Sequence, residues 1–165
     1  MADAVTAFIG LGSNLDNPRS QVQIALQELD GDLAIRLIKA SALYQSAPMG
    51  PADQPDYINA VAAIETTLSA EELLTELQQL EARHQRVRKE HWGPRTLDLD
   101  LLLFGDTVIC NERLTVPHPG LKERNFVLIP LYEIAPDLIL PDNRALVELI
   151  QCCSREGLQR LAAGN

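Results

Sequence analysis

The sequence predicts an α+β protein in which helices pack on a largely antiparallel sheet. Short apolar runs of strand length alternate with two longer stretches whose apolar residues recur every three or four positions, as in helices. In chain order these segments read β-α-β-β-α-β, and further helical segments follow. This order favours a mixed, mainly antiparallel sheet with helices on it over a doubly wound parallel one.

The first half of the chain begins with the apolar run Val5–Leu11, which Gly12-Ser13-Asn14 closes as a strand followed by a turn. A helix begins at Pro18, whose missing N–H costs nothing in a first turn, and ends at Gly31. Three further segments follow, namely a strand over Leu33–Tyr44, a proline-rich loop over Ser46–Asp56 and a strand over Tyr57–Thr67.

The second half opens with a helix that Ser69 and Glu72 begin as a capping box and that runs to about His84. A polar, cationic loop occupies residues 85–95, and Leu97–Phe104 predicts the next strand. The remaining segments are a turn at Gly105-Asp106 that leads back through Val108 and Ile109, helices over Lys122–Ile134 and Ala145–Cys152, and a short terminal piece. The whole order is the split β-α-β, or ferredoxin-like, pattern with an added β-hairpin.

Length and composition restrict the class of protein. A chain of 165 residues with 46% apolar and 22% charged residues is expected to form a single domain over residues 1–165. Its apolar runs are far shorter than the roughly 20 residues of a membrane helix, and no leader pattern opens the chain, so we expect a cytoplasmic protein. The odd number of cysteines, two of them adjacent, favours reduced thiols over disulfides or a zinc site.

The charges are unevenly distributed. The net charge of −9 argues against non-specific binding of nucleic acid. Eight of the 14 basic residues nevertheless fall between positions 83 and 124, namely Arg83, Arg86, Arg88, Lys89, Arg95, Arg113, Lys122 and Arg124. This cluster indicates a local anion site, and the alternative is a solvated basic face.

Two carboxylates, Asp98 and Asp100, interrupt an otherwise apolar strand. Because side chains alternate across a strand, both point to one face while Leu97, Leu99 and Leu101 point to the other. Carboxylates at this spacing suit Mg²⁺, which takes one or two of them and leaves other positions to substrate phosphates. The alternative is an edge strand whose acidic face is merely hydrated.

The neighbouring cations favour the metal site. Arg86, Arg88 and Arg95 precede the carboxylates, and Mg²⁺ together with guanidinium groups is what phosphoryl transfer requires. Arg113 and His118 follow, although a histidine between two prolines is also typical of a turn. No P-loop is present, and Gly10-Leu11-Gly12-Ser13-Asn14-Leu15 lacks the third glycine of a dinucleotide-binding turn.

Few residues are aromatic, so their positions are informative. Tyr57 and Asn59 alternate onto one face of a strand, Trp92 lies in the cationic loop and Phe126 follows Arg124. A flat heterocycle is bound by two aromatic faces and an amide that reads its edge. An ordinary core position is the alternative for all four side chains, and for Phe126 it is the better single-residue interpretation.

Three segments together resemble 6-hydroxymethyl-7,8-dihydropterin pyrophosphokinases of folate biosynthesis. They are Gln54-Pro55-Asp56-Tyr57-Ile58-Asn59-Ala60, Arg86-Val87-Arg88 and Trp92-Gly93-Pro94-Arg95-Thr96-Leu97-Asp98-Leu99-Asp100. The similarity extends from Gly12-Ser13-Asn14-Leu15 to Arg113-Leu114-Thr115-Val116-Pro117-His118 and through Ile134-Ala135-Pro136. It implies transfer of pyrophosphate from ATP to the pterin hydroxymethyl group with release of AMP.

The resemblance also implies a role for each matching residue. Asp98 and Asp100 would hold two Mg²⁺ ions with ATP, and Arg86 and Arg95 would be catalytic cations that close over the phosphates. The nucleotide site would comprise Glu81, Arg88, Arg113, Thr115 and His118. The pterin site would comprise Ser46, Pro48, Tyr57, Asn59, Trp92 and Phe126. The expected partners are these two small molecules, with no nucleic acid or membrane, and the chain is expected to be a monomer.

Three positions depart from the family pattern. Ser46-Ala47-Pro48-Met49 replaces Thr-Pro-Pro-Leu, His91 lies in a segment one residue short, and Pro119 stands where an aromatic residue is frequent. The alternatives from other classes are a different Asp-x-Asp transferase acting on a sugar nucleotide and a non-catalytic RNA-binding module.

Overall fold

The antiparallel sheet is built around the central strands. The computed structural model describes residues 3–14, 17–46, 56–84 and 97–161. The strands in these ranges are β1 (Val5–Ser13), β2 (Ile35–Ala40), β3 (Tyr44–Ser46), β4 (Tyr57–Thr66), β5 (Asp98–Phe104), β6 (Ile109–Cys110), β7 (Thr115–Val116) and β8 (Leu158–Arg160). Six of them form one sheet in the order β5-β1-β4-β3-β8, with β2 also paired to β4, and β6 and β7 form a separate two-stranded sheet.

Four helices lie in the described ranges, α1 (Pro18–Asp30), α2 (Ala70–His84), α3 (Asn125–Ile134) and α4 (Leu146–Gln151). The predicted capping box of α2 is confirmed, since the Ser69 N–H donates to Glu72 at 2.9 Å and the Glu72 N–H donates to Ser69 at 3.1 Å. Pro18 occupies the first turn of α1, as predicted.

Strand alternation divides the buried residues into two cores on opposite faces of the sheet. The first core joins Ile9, Leu11 and Ala62 of the sheet to α1 and α2. The second joins Phe8, Val61 and α3 with residues around α4. The second core therefore covers only one end of this face of β1, β4 and β5. The other end of the same face is not covered by that core.

Several predicted elements are corrected. The strand expected over Leu33–Tyr44 is two strands, β2 and β3, and both pair with β4. Between them, the Ser41 N–H donates to the Val61 carbonyl, and the Ser41 hydroxyl oxygen accepts the Val61 N–H. The pairing register can therefore change between β2 and β3 while the backbone groups of Val61 stay hydrogen-bonded. Ser46, expected in a loop, is the last residue of β3.

The end of the chain also differs from expectation. Val108 and Ile109 do not return along β5. Instead Ile109 pairs with Val116 in the small sheet, so the added hairpin is β6–β7. Helix α3 begins at Asn125 rather than Lys122, and the terminal piece contains a strand, β8, that pairs with β3.

No helix within the described part of the chain is long and apolar enough to cross a membrane. All three cysteines are free thiols, with Cys110 and Cys152 exposed and Cys153 half-buried.

Candidate active site

The floor of the candidate site is β1, which lies between β5 and β4 in the antiparallel sheet. Gly12 lies opposite Asn59 on one side and Asp98 on the other, and Gly10 lies opposite Asp100. Directly opposed residues of antiparallel strands point to the same face. The two glycines therefore leave an open strip between the amide of β4 and the carboxylates of β5.

A cavity of about 150 Å³ occupies this strip. Six sequence-predicted site residues line it, namely Ser46, Tyr57, Asn59, Asp98, Asp100 and Phe126. They come from β3, β4, β5 and α3, which are far apart in the chain. The structure thus brings the two carboxylates and the candidate ring-binding residues to one cavity, which spacing along the sequence does not show.

The two carboxylates lie on one face of β5, as the alternation predicts. Leu99 and Leu101 are buried in the core beneath α1 and α2, whereas Asp98 and Asp100 are half-buried along the cavity. Glu81 of α2 lies beside the same strand, where one of its carboxylate oxygens accepts the Leu99 N–H at 2.8 Å. Helix α2 is thus fixed to the strand that carries both aspartates.

His118 lies against the second carboxylate, with its Nε2 at 3.8 Å from an Asp100 oxygen. Its backbone N–H donates to the Leu102 carbonyl at 3.0 Å, and its Nδ1 accepts the Gly120 N–H at 3.1 Å. Because Nδ1 accepts, the neutral ring carries its proton on Nε2, on the side of Asp100. His118 therefore directs its Nε2 toward a carboxylate that lines the cavity.

The residues at this edge fit a magnesium site that is completed by substrate. Among the residues with described positions, no three His, Cys, Asp or Glu side chains group closely enough to hold a metal alone. Mg²⁺ commonly uses only one or two carboxylates together with water and phosphate oxygens. Asp98 and Asp100, beside an open strip that a Cβ on Gly10 or Gly12 would narrow, provide that donor set.

The amide of Asn59 is held in one orientation. Its Nδ2 donates to the Ser46 hydroxyl at 2.8 Å, and both residues are buried, with 4% and 6% of their surface exposed. A Cβ on Gly12 would lie 3.4 Å from Asn59 Oδ1 and 3.8 Å from the Tyr57 ring. The amide oxygen therefore faces the floor of the cavity, beside one aromatic wall.

Arg124 lines the cavity and was not among the predicted site residues. Its guanidinium carbon lies 5.8 Å from the centre of the Phe126 ring. A Cβ on Gly120 would approach the guanidinium to 2.5 Å, so only glycine lets this side chain take its path. Two features of the sequence could have indicated Arg124, namely the cluster of basic residues and the position of Arg124 two residues before Phe126. Gly10 and Gly12 were also missed as site residues, since the sequence analysis considered them only as part of a rejected dinucleotide-binding turn.

Other predicted residues lie elsewhere or outside the description. Arg113 follows β6 and donates to the Thr75 hydroxyl of α2, while Thr115 is exposed in β7. Neither lines the cavity. Five further predicted site residues, Pro48, Arg86, Arg88, Trp92 and Arg95, lie outside the described residues.

Comparisons with known proteins give a consistent result. The model of the family described as 7,8-dihydro-6-hydroxymethylpterin-pyrophosphokinase matches residues 8–136. A Haemophilus influenzae protein named 2-amino-4-hydroxy-6-hydroxymethyldihydropteridine pyrophosphokinase is 51% identical over 147 residues, which are 89% of this chain and 92% of that protein. A Pseudomonas aeruginosa protein of the same name is 51% identical over 154 residues, covering 93% and 95%.

A solved structure shares the fold. The Plasmodium falciparum protein described as HPPK-DHPS wild type with pteroate aligns with a TM-score of 0.75 at 13% identity. The alignment covers 97% of this chain and 46% of that chain, so this chain spans less than half of the larger protein. On the family match and the two half-identical relatives, this chain belongs to the 7,8-dihydro-6-hydroxymethylpterin-pyrophosphokinase family.

Proposed function

We propose that this chain transfers the pyrophosphoryl group of ATP to the hydroxymethyl group of 6-hydroxymethyl-7,8-dihydropterin and releases AMP, as a step of folate biosynthesis. One observation supports the proposal above all others. A single cavity is lined at one end by two aromatic residues and an oriented amide and at the other by two carboxylates. That combination suits a flat heterocycle next to a polyphosphate.

The pterin occupies the end of the cavity formed by β3, β4 and α3 in this proposal. Tyr57 and Phe126 supply apolar faces for the ring, and Asn59 supplies an amide edge. An amide with one N–H committed to Ser46 still offers its second N–H and its carbonyl oxygen. These two groups complement the amino and carbonyl groups on the edge of a pterin.

The triphosphate occupies the carboxylate end. Asp98 and Asp100 would hold two Mg²⁺ ions there, and these ions when bound neutralise phosphate charge and polarise the transferred group. The Nε2 of His118 is a donor beside Asp100, and Arg124 is a further donor on the wall of the same cavity. We also propose Arg86 and Arg95 as catalytic cations, and Glu81, Arg88, Arg113 and Thr115 as residues that support the nucleotide, on the family resemblance.

Catalysis in this arrangement depends mainly on position and charge. The pterin hydroxyl is a modest nucleophile, so it must be held in line with the β-phosphorus while cations stabilise charge on the departing AMP oxygen. The rigid strand floor fixes the distance between the ring-binding end and the phosphate-binding end. Pro48 and Trp92 complete the pterin site in the proposal.

The remaining sequence predictions become part of the same proposal. A ferredoxin-like topology is supported by the order β5-β1-β4, with β2 and β3 both on the far side of β4. We further propose a monomer of one domain over residues 1–165, located in the cytoplasm and with no nucleic-acid or membrane partner.

The decisive experiment is product analysis. The protein is mixed with ATP, Mg²⁺ and the reduced pterin alcohol, and each reagent is omitted in turn. We expect one AMP for each pterin pyrophosphate, and only in the complete mixture. Formation of ADP, or of AMP without pterin, would overturn the proposal. A sugar-nucleotide transferase, whose sugar substrate is absent from the mixture, and an RNA-binding module would both form no pterin-dependent AMP.

A further inference from the structure

A carboxylate outside the cavity is fully engaged by three partners. Glu133, near the end of α3, accepts the Tyr44 hydroxyl at 2.6 Å on one oxygen and the Ala42 N–H at 2.9 Å on the other. The Arg160 guanidinium approaches the second oxygen to 3.7 Å. Nothing in the proposed reaction uses this side chain, of which 28% is exposed.

One partner of Glu133, Tyr44, belongs to the strand that forms one side of the pterin end, and Ala42 lies two residues before it. Tyr44 begins β3 and lies directly opposite Asn59 of β4. Ser46, two residues later on the same face, accepts the Asn59 amide N–H. The Tyr44 phenol thus lies beside the amide proposed to read the pterin edge.

Glu133 and Phe126 lie at opposite ends of the same short helix. They are seven positions apart in α3, which corresponds to about 10 Å along a helix axis. Pro130 lies between them and cannot donate the usual helix hydrogen bond to the Phe126 carbonyl, so the position of the first turn over the sheet depends on the buried face of α3 and on the attachment of its last turn. Burial, followed by the bond to Glu133, raises the pKa of Tyr44 to about 12, so the phenol remains a donor at physiological pH.

We infer that Glu133 is a positioning residue, which through Tyr44 and Ala42 fixes α3 against β3 and thereby sets the width of the slot between Phe126 and Tyr57. The inference rests on the proposed function, because it assumes that the pterin ring occupies this slot. It assigns Glu133 no contact with substrate. The carboxylates of β5 lie three strands away from β3, so this attachment does not position the proposed metal ligands.

The test separates the two substrates. Glu133→Ala removes both hydrogen bonds and the Arg160 contact, and Tyr44→Phe removes only the hydroxyl. We expect both variants to weaken pterin binding, Glu133→Ala by about tenfold, since one or two hydrogen bonds no longer hold the slot at its width. Affinity for a non-hydrolysable ATP analogue should stay within about twofold of wild type. Titration calorimetry measures both affinities, and steady-state rates should show a raised KM for pterin with kcat nearly unchanged.

Two further variants exclude a general loss of stability. Glu133→Gln can accept the Ala42 N–H and donate to the Tyr44 oxygen, so it should restore pterin affinity. Leu29→Ala creates a cavity in the core on the other face, where Leu29 is fully buried, and should lower stability without changing pterin affinity.

The outcomes distinguish the inference from the proposed function. If wild type forms no pterin pyrophosphate, the function itself fails. If wild type is active and Glu133→Ala binds pterin normally, or loses nucleotide and pterin affinity equally, the positioning role is wrong. Loss of pterin affinity in Leu29→Ala would contradict it as well.

Discussion

The hydrogen bond between Asn59 and Ser46 gives the sharpest energetic prediction. Ser46→Ala removes the hydroxyl that accepts the Asn59 side-chain N–H. Because only 4% of Asn59 is exposed, water does not easily replace this acceptor. An unsatisfied buried donor costs about 1–3 kcal/mol. We therefore expect the free energy of unfolding to fall by about 2 kcal/mol, as measured by urea denaturation at neutral pH.

The neighbouring residue provides a matched control. Gln45 donates to Asp56 at 2.8 Å, the same length as the Asn59–Ser46 bond, but this pair is exposed. Gln45→Ala should change the unfolding free energy by less than about 0.5 kcal/mol, because water replaces the lost partner. Equal losses in the two variants would refute the reasoning, since burial would then not decide the cost of the bond. A double-mutant cycle with Asn59→Ala should give a coupling of about 1 kcal/mol or more.

Three further outcomes are expected. The pKa of Tyr44 is about 12 in the folded protein and about 10 in the unfolded chain, so the neutral phenol stabilises the fold fully below pH 10 and this stabilisation is lost as pH rises through 12. In urea titrations, the difference in unfolding free energy between wild type and Tyr44→Phe should fall by roughly 2 kcal/mol from pH 9 to 12. A constant difference would contradict this prediction. Gly120→Ala should displace the Arg124 guanidinium, because the new Cβ would lie 2.5 Å from it. The rate of AMP release should then fall about tenfold, while the free energy of unfolding changes by less than about 0.5 kcal/mol. Unchanged turnover would show that Arg124 does not belong to the site. Asp100→Ala should lower turnover by roughly a thousandfold, by analogy with other charge-stabilising groups. Substitution of the exposed Asp106 by alanine should leave turnover unchanged. Near-normal AMP release by Asp100→Ala would refute the role of Asp100.

Regular patterns made much of this site predictable. The alternation Asp-Leu-Asp placed both carboxylates on one face, and Ser69 with Glu72 located the start of α2. Tyr57 and Asn59 were assigned to one face in the same way, and the structure brings them to the cavity. Each of these conclusions depends only on the geometry of one strand or one helix end.

Features that depend on tertiary pairing were not predictable. The division of the strand after Leu33 into β2 and β3 arises from a shift in register against β4, which the continuous apolar pattern conceals. Arg124 reaches the cavity because Gly120 beside it has no side chain to block the guanidinium, and no pattern in the sequence indicates this contact. Glu133 looked like an ordinary polar residue of a helix, since its two hydrogen-bond partners, Ala42 and Tyr44, are about 90 positions away in sequence.

The separation of the two cores has a practical consequence for engineering. Residues that pack against α1 and α2 point away from the substrate side of the same strands. Repacking that side, for instance around Leu29 and Leu77, offers a route to greater heat tolerance that leaves the substrate-facing surface untouched. A library confined to those positions should therefore yield thermostable variants whose substrate preference is inherited unchanged.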